Sequence, residues 1–150
     1  TPTCCLAIRR SVIDKVGVFD GRLESGGDWD YGQRIYKANL KQEYIDDIVV
    51  FHPARFSYKS LINKGRRVAR GISQLAYYMP EEYSYLFNNY FGIRRYFPYS
   101  PVKLYREYKQ KFDDTTYFQG FIYAFFHIPI RVISLFELIN EKIRLNLKKK

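Results

Sequence analysis

In the stretch ESGGDWDYGQRI, residues 24–35, two carboxylates flank Trp29 just behind a glycine pair. Gly26 and Gly27 allow a tight turn and a close backbone approach to a ligand. Asp28 stands where a helix N-cap is expected, with its carboxylate free to face a cleft. An acid so placed can take a proton from a hydroxyl within hydrogen-bond reach. The plainer alternative is local: Asp is a preferred N-cap, and acids favour the first helical turn. Asp30 adds a second carboxylate one residue beyond Trp29. His52 sits at the end of an apolar run, just before Pro53, and has the donor chemistry of a metal ligand. A lone histidine is more often structural. Arg66, Arg67 and Arg70 offer contacts to phosphate or membrane, against the alternative of a solvated face.

These residues need elements to hold them. Residues 4–8, CCLAI, form a short apolar run that predicts a buried strand. A short helix follows, with Ser11 able to cap it and Gly17 able to end it. Residues 28–38 predict a helix with Tyr31, Ile35 and Ala38 on one face. EYIDDIVVF predicts one or two short strands, broken around Asp46 and Asp47 and stopped by Pro53. Ser57 can cap a long basic helix running to about Tyr78, in which Gly65 and Gly71 either weaken the helix or permit close packing. Pro80, Pro98 and Pro101 punctuate the middle of the chain, and a helix is predicted over 101–111. Residues 117–139 are long enough to cross a bilayer. However, Gln119, Tyr123, His127, Arg131, Ser134 and Glu137 recur every three or four residues and share one face. That pattern fits a helix lying on a membrane, or packed on a partner helix, better than a spanning one. Pro129 is expected to kink it.

Charge divides the chain. Residues 1–56 hold eight basic and eight acidic residues, so the whole net charge of +10 lies in 57–150. The same segment carries 21 of the 27 Tyr and Phe. A basic, aromatic surface suits anionic lipid, nucleic acid or phosphorylated substrates. The 150 residues suit one ordinary domain. The chain opens on Thr1, which leads to the expectation of a fragment or a processed chain. Cys4 and Cys5 are neighbours, poorly placed for an ordinary disulfide, and complete no zinc site. The simplest expectation for them is two small core residues in a reducing compartment.

Taken in order, LAIRRS, VGVFD, the GGDWD acid motif and VVFHPAR resemble the second half of the catalytic domain of family-2 glycosyltransferases, which have the GT-A fold. The resemblance covers about residues 3–56 and extends toward Gln74. It implies an α/β fold: a partial GT-A domain, its acceptor-side half, in 1–56. A basic, aromatic, mostly helical membrane-associating extension would follow in 57–150. It also implies residue roles. Asp28 takes the position of the catalytic base, with Gly27 where the family often has Glu. Trp29 and Asp30 fall to acceptor binding. His52 matches a late histidine that helps hold the metal or the diphosphate. Cys5 stands where the family often has Asn.

The activity so implied is transfer of a sugar from a nucleotide-sugar donor to a glycan or lipid-linked acceptor. In an inverting transfer a base removes the acceptor proton as its oxygen attacks the anomeric carbon. A divalent metal, Mg or Mn, would offset charge on the leaving diphosphate. In the family, the nucleotide-binding units and the Asp-x-Asp metal motif precede the matched segment. DWD has that spelling but the place of the acceptor-side motif, so this chain alone is expected to bind nucleotide-sugar weakly or not at all. The expected location is cytoplasmic, peripheral on the inner face of the membrane. Two other readings stay open. One is a basic nucleic-acid-binding module, for which no recognised motif is present. The other is a non-catalytic remnant of a glycosyltransferase.

Overall fold

The computed structural model describes residues 5–51, 53–91, 106, 109–110 and 116–148. The first helix, α1, is Arg10–Val16. Gly17 ends it at φ 80°, a conformation that favours glycine. Arg9 is the N-cap residue, so Ser11 lies inside the helix and caps nothing. Helix α2 is Gly27–Lys37 and buries Tyr31 and Ile35 of the expected face, while Ala38, the third residue of that face, is its half-buried C-cap. Its N-cap is Gly26, at φ 85°. A Cβ on Gly26 would sit 2.8 Å from Leu75 Cδ1, so the turn is both left-handed and tightly packed. Asp28 therefore lies within the first turn of α2 rather than at its cap.

Helix α3 is Tyr58–Tyr78, and Ser57 caps it by accepting a 3.2 Å bond from the Ser60 N–H. Helix α4, Pro80–Phe91, starts one residue after the Met79 that closes α3. Pro80 does more than punctuate the chain. Proline is well suited to open a helix, because the N–H it lacks has no partner in a first turn. Glu81 and Glu82 in that turn favour the helix dipole. Helix α5, Tyr117–Leu147, carries a full capping box: the Thr116 hydroxyl accepts from the Gln119 N–H, and the Gln119 side chain accepts from the Thr116 N–H. It continues through Pro129 and past the expected end at Ile139.

Helices α3 and α5 lie side by side along much of their length. The Tyr58 hydroxyl donates to the Phe126 carbonyl at 3.0 Å. Further along, Ser73 Oγ donates to the Leu138 carbonyl at 2.9 Å and Gln74 Nε2 donates to Glu141 Oε1 at 3.0 Å. Positions advance together on both helices, so they run parallel. Gly65 permits the approach: a Cβ there would lie 2.6 Å from Ser134 Oγ. The core gathers Ala69 and Leu75 of α3, Leu138 and Leu145 of α5, Tyr83 of α4, and Tyr31 of α2.

The expected α/β architecture, a partial GT-A fold, is corrected by this arrangement. Among the described residues there is no strand. Residues 5–9 and 40–51 have the apolar composition of strands, but a strand is completed only by a neighbour that pairs its backbone groups. Neither segment has such a ladder. Residues 40–51 run irregularly, with one turn at Asp46 and Asp47, and the Ile48 N–H returns to the Ile45 carbonyl at 3.3 Å. Their side chains stay out of the core, Phe51 being 94% exposed. Cys5 is exposed as well, which corrects the expectation of a core thiol there. Cys4, His52 and most of the helix predicted over 101–111 lie outside the described residues.

Candidate functional site

The first turn of α2 presents an acid and an aromatic side by side. Asp28 is half-buried, and its Oδ1 accepts the Trp29 N–H at 2.9 Å. Its other oxygen has no protein hydrogen-bond donor among the described residues. Trp29 is 36% exposed, and its ring lies 5.3 Å from that of Tyr83 at an interplanar angle of 51°. One part of the indole is thus fixed against α4 while part remains available to a ligand. A carboxylate that can take a proton, next to an apolar ring face, suits a polyhydroxylated substrate with C–H faces.

Asp30 is built differently. It is 1% exposed, and both oxygens are engaged: Oδ2 accepts from Arg34 Nε at 2.9 Å and Oδ1 from the Tyr83 hydroxyl at 3.3 Å. Burial, and then the charge of Asp30, push the Tyr83 phenol well above its ordinary value, so it remains a donor. Arg34 extends the link by donating to the carbonyls of Val16 at 2.5 Å and Val18 at 2.9 Å. Phe19 stacks on Tyr31 with centroids 4.3 Å apart. The VGVFD and GGDWD motifs are therefore one packed unit. Asp20, the last residue of the first motif, closes its turn by accepting the Arg22 N–H at 3.0 Å and pairing with the Arg22 guanidinium at 2.6 Å. The bond from the Arg22 side chain holds the Asp20 carboxyl below its ordinary range.

The loop before α2 is clamped from the far side by α3. Arg67 Nη1 donates to the Glu24 carbonyl at 3.1 Å, and Arg70 Nε donates to Glu24 Oε2 at 2.7 Å. The Glu24 N–H donates to Gln74 Oε1 at 2.8 Å. Gly71 admits the loop: a Cβ on it would overlap the Ser25 carbonyl oxygen. Arg70 also donates to Glu137 of α5 at 2.7 Å, and Arg66 stands 3.8 Å from the same carboxylate. Beyond them, burial opposes the charge of Glu141, but bonds from Arg144 and Gln74 win and hold its carboxyl below the ordinary value. Glu24, Arg70, Glu137, Glu141 and Arg144 line a cleft of about 380 Å³.

The structure thus brings Asp28 and Trp29 to one surface, places Asp30 beneath it, and sets Arg67 and Arg70 behind the loop as braces. Sequence reasoning missed Arg34, Tyr83, Glu137 and Glu141. Arg34 had a legible signal, because it lies four residues after Asp30, where side chains of a helix meet. Tyr83, Glu137 and Glu141 join through tertiary contacts that no local pattern carries. His52 lies outside the described residues. Among the described residues no group of three or more His, Cys, Asp or Glu is gathered closely enough to hold a metal ion.

Comparison with known proteins gives a partial answer. The chain is 34% identical over 73 residues to the protein named Glycosyltransferase AglE of Haloferax volcanii. The match covers 49% of this chain and 24% of that protein, so the chain spans about a quarter of the relative. No family profile matches the chain. No solved structure matches it either. The similarity supports a relationship to glycosyltransferases.

Proposed function

We propose that this chain supplies the acceptor-activating part of a glycosyltransferase, with Asp28 as the general base of an inverting, family-2-type transfer. The observation that carries this reading is the first turn of α2. A half-buried carboxylate with one unengaged oxygen stands beside a partly exposed tryptophan, in a helix turn whose preceding loop is braced by α3. The sequence similarity to a glycosyltransferase supports the same class.

The acceptor is a glycan or lipid-linked sugar whose ring lies against Trp29, with a hydroxyl directed at Asp28. As that oxygen attacks the anomeric carbon of a nucleotide-sugar, its O–H bond breaks and the proton passes to Asp28. The bond from the anomeric carbon to the diphosphate breaks on the opposite face, and the nucleotide diphosphate leaves with that electron pair. Asp30 is a positioning residue in this reading. Its carboxylate is committed to Arg34 and Tyr83, so it fixes the pitch of α2 rather than touching the acceptor. Arg67 and Arg70 position the loop in the same sense, and their contacts with Glu24 weigh against a role in nucleic-acid binding.

The test is sugar transfer by Asp28→Asn in the full-length protein, supplied with nucleotide-sugar and acceptor. General-base removal lowers kcat by roughly 10²- to 10⁴-fold. Circular dichroism and Tm should match the parent. Near-normal turnover by the variant rejects Asp28 as the base.

A further inference from the structure

Helix α5 has two faces with opposite fates. The inner face meets α3 through Ser134, Glu137, Leu138 and Glu141. The outer face is apolar and exposed: Phe118, Ile122, Phe125, Val132 and Phe136, with Phe118 at 72% and Phe125 at 65% exposure. Their spacings of three, four and seven place them on a single stripe, which Ile143 and Leu147 prolong toward the helix end. The stripe runs along a helix of roughly 45 Å, at 1.5 Å rise per residue. Such an area of exposed aromatic and aliphatic surface marks an interaction site.

The net charge of the segment points to the partner. All of the net charge of +10 lies in residues 57–150. Lys59 and Lys64 of α3 and Lys142 of α5 are exposed, and Lys148 stands exposed at the end of α5. An exposed, phenylalanine-rich stripe on a segment that carries all of the net positive charge matches the headgroup and acyl boundary of an anionic bilayer.

The same packing decides how the helix sits. By length and composition, residues Phe118–Leu147 could cross a membrane. Yet α5 is fastened to α3 from Tyr58 to Gln74, and α3 carries Lys59, Lys64, Arg66, Arg67 and Arg70. A spanning α5 would carry those cations into hydrocarbon, or would have to break the Arg70–Glu137 and Gln74–Glu141 contacts. Lying in the plane of the interface avoids both costs. We propose that the outer stripe of α5 is an in-plane docking face for an anionic lipid surface. It would hold the Glu24 loop near that surface through the Arg70 bridge between Glu137 and Glu24. Vesicle binding and sugar transfer are separate readouts, so this inference and the proposed transfer can fail independently.

The experiment is co-sedimentation of the whole chain with vesicles of phosphatidylcholine alone and with about a third phosphatidylglycerol. The expected result is binding to the anionic vesicles at least tenfold tighter than to the neutral ones. It should weaken at least tenfold in Phe118→Ser/Phe125→Ser/Phe136→Ser, and be released by alkaline carbonate. Phe51→Ser, a still more exposed control on a different segment, should bind as the parent does. A conservative variant on the stripe, Phe125→Trp, guards against misfolding of the triple one. The fluorescence of the introduced indole should shift to the blue on vesicles and be quenched by brominated lipid. Absence of vesicle binding, equal binding to both vesicle types, unchanged binding by the triple variant, an unshifted signal from the introduced indole, or retention after carbonate would each overturn the proposal. Capture by an acidic protein in place of lipid would show as the first of these.

Discussion

The two sides of the first turn of α2 treat chemically identical groups in opposite ways. On the outer side Asp28 keeps an unengaged oxygen beside a partly exposed Trp29. On the inner side Asp30, two residues on, is buried and fully engaged by Arg34 and Tyr83. The helical turn makes the difference. Residues two apart in a helix point nearly opposite ways, so one acid meets the core and the other meets solvent. In the proposed reading the rigid half sets geometry and the open half does chemistry, and substitutions should separate the two.

The largest effect is expected on the inner side. Asp30→Ala leaves Arg34 without its carboxylate and Tyr83 without its acceptor. Loss of one partner from a buried pair costs about 3 kcal/mol or more, and the partial exposure of Arg34 keeps the figure at the low end. Urea denaturation measures it, and a variant within about 0.5 kcal/mol of the parent would show that the pair holds nothing. Gly71→Ala comes next. Its Cβ meets backbone at Ser25, which cannot yield as a side chain can, so a loss of about 1–3 kcal/mol is expected. Acid should act more mildly and through a different group. Glu141 has a folded value below its ordinary 4.5, so its contribution is complete above that pH and is lost as pH falls through the folded value. Tm should therefore fall with acidification in that window, and the fall should be shallower in Glu141→Gln. The smallest stability change belongs to the outer side: Trp29→Ala should alter stability by well under the Asp30→Ala effect while raising the KM for acceptor.

How far the sequence foretold this arrangement follows from where each element finds its hydrogen bonds. Helices α2, α3 and α5 were legible because an α-helix pairs its own backbone, and its buried face repeats in the sequence. The Ser57 cap and the Tyr31 and Ile35 face follow from local rules, while the close packing at Gly65 and Gly71, one of the two roles open to them, is set by tertiary neighbours. Strands are different. The composition of residues 40–51 favours one, but pairing is a property of the neighbour, and no neighbouring strand is present among the described residues. The expected α/β fold failed on that point. Helix α4 was not legible because a proline that begins a helix has the same local signature as one that ends it. At the site, Asp28 and Asp30 were legible as a pair, but the burial and full engagement of Asp30 were not, because one of its partners, Tyr83, lies 53 residues away. The arginines of α3 were legible as charge, while their partners Glu24 and Glu137 were visible only in three dimensions.

The central claim is that Asp28 acts on the acceptor and Asp30 acts on the fold. Comparing Asp28→Asn with Asp30→Asn in the full-length protein, with transfer rate and Tm measured on the same samples, tests it directly. The account predicts an Asp28→Asn protein with the parent Tm and kcat lowered roughly 10²-fold or more, and an Asp30→Asn protein with a clearly lowered Tm. An Asp28→Asn protein that folds and transfers sugar at the parent rate would contradict it.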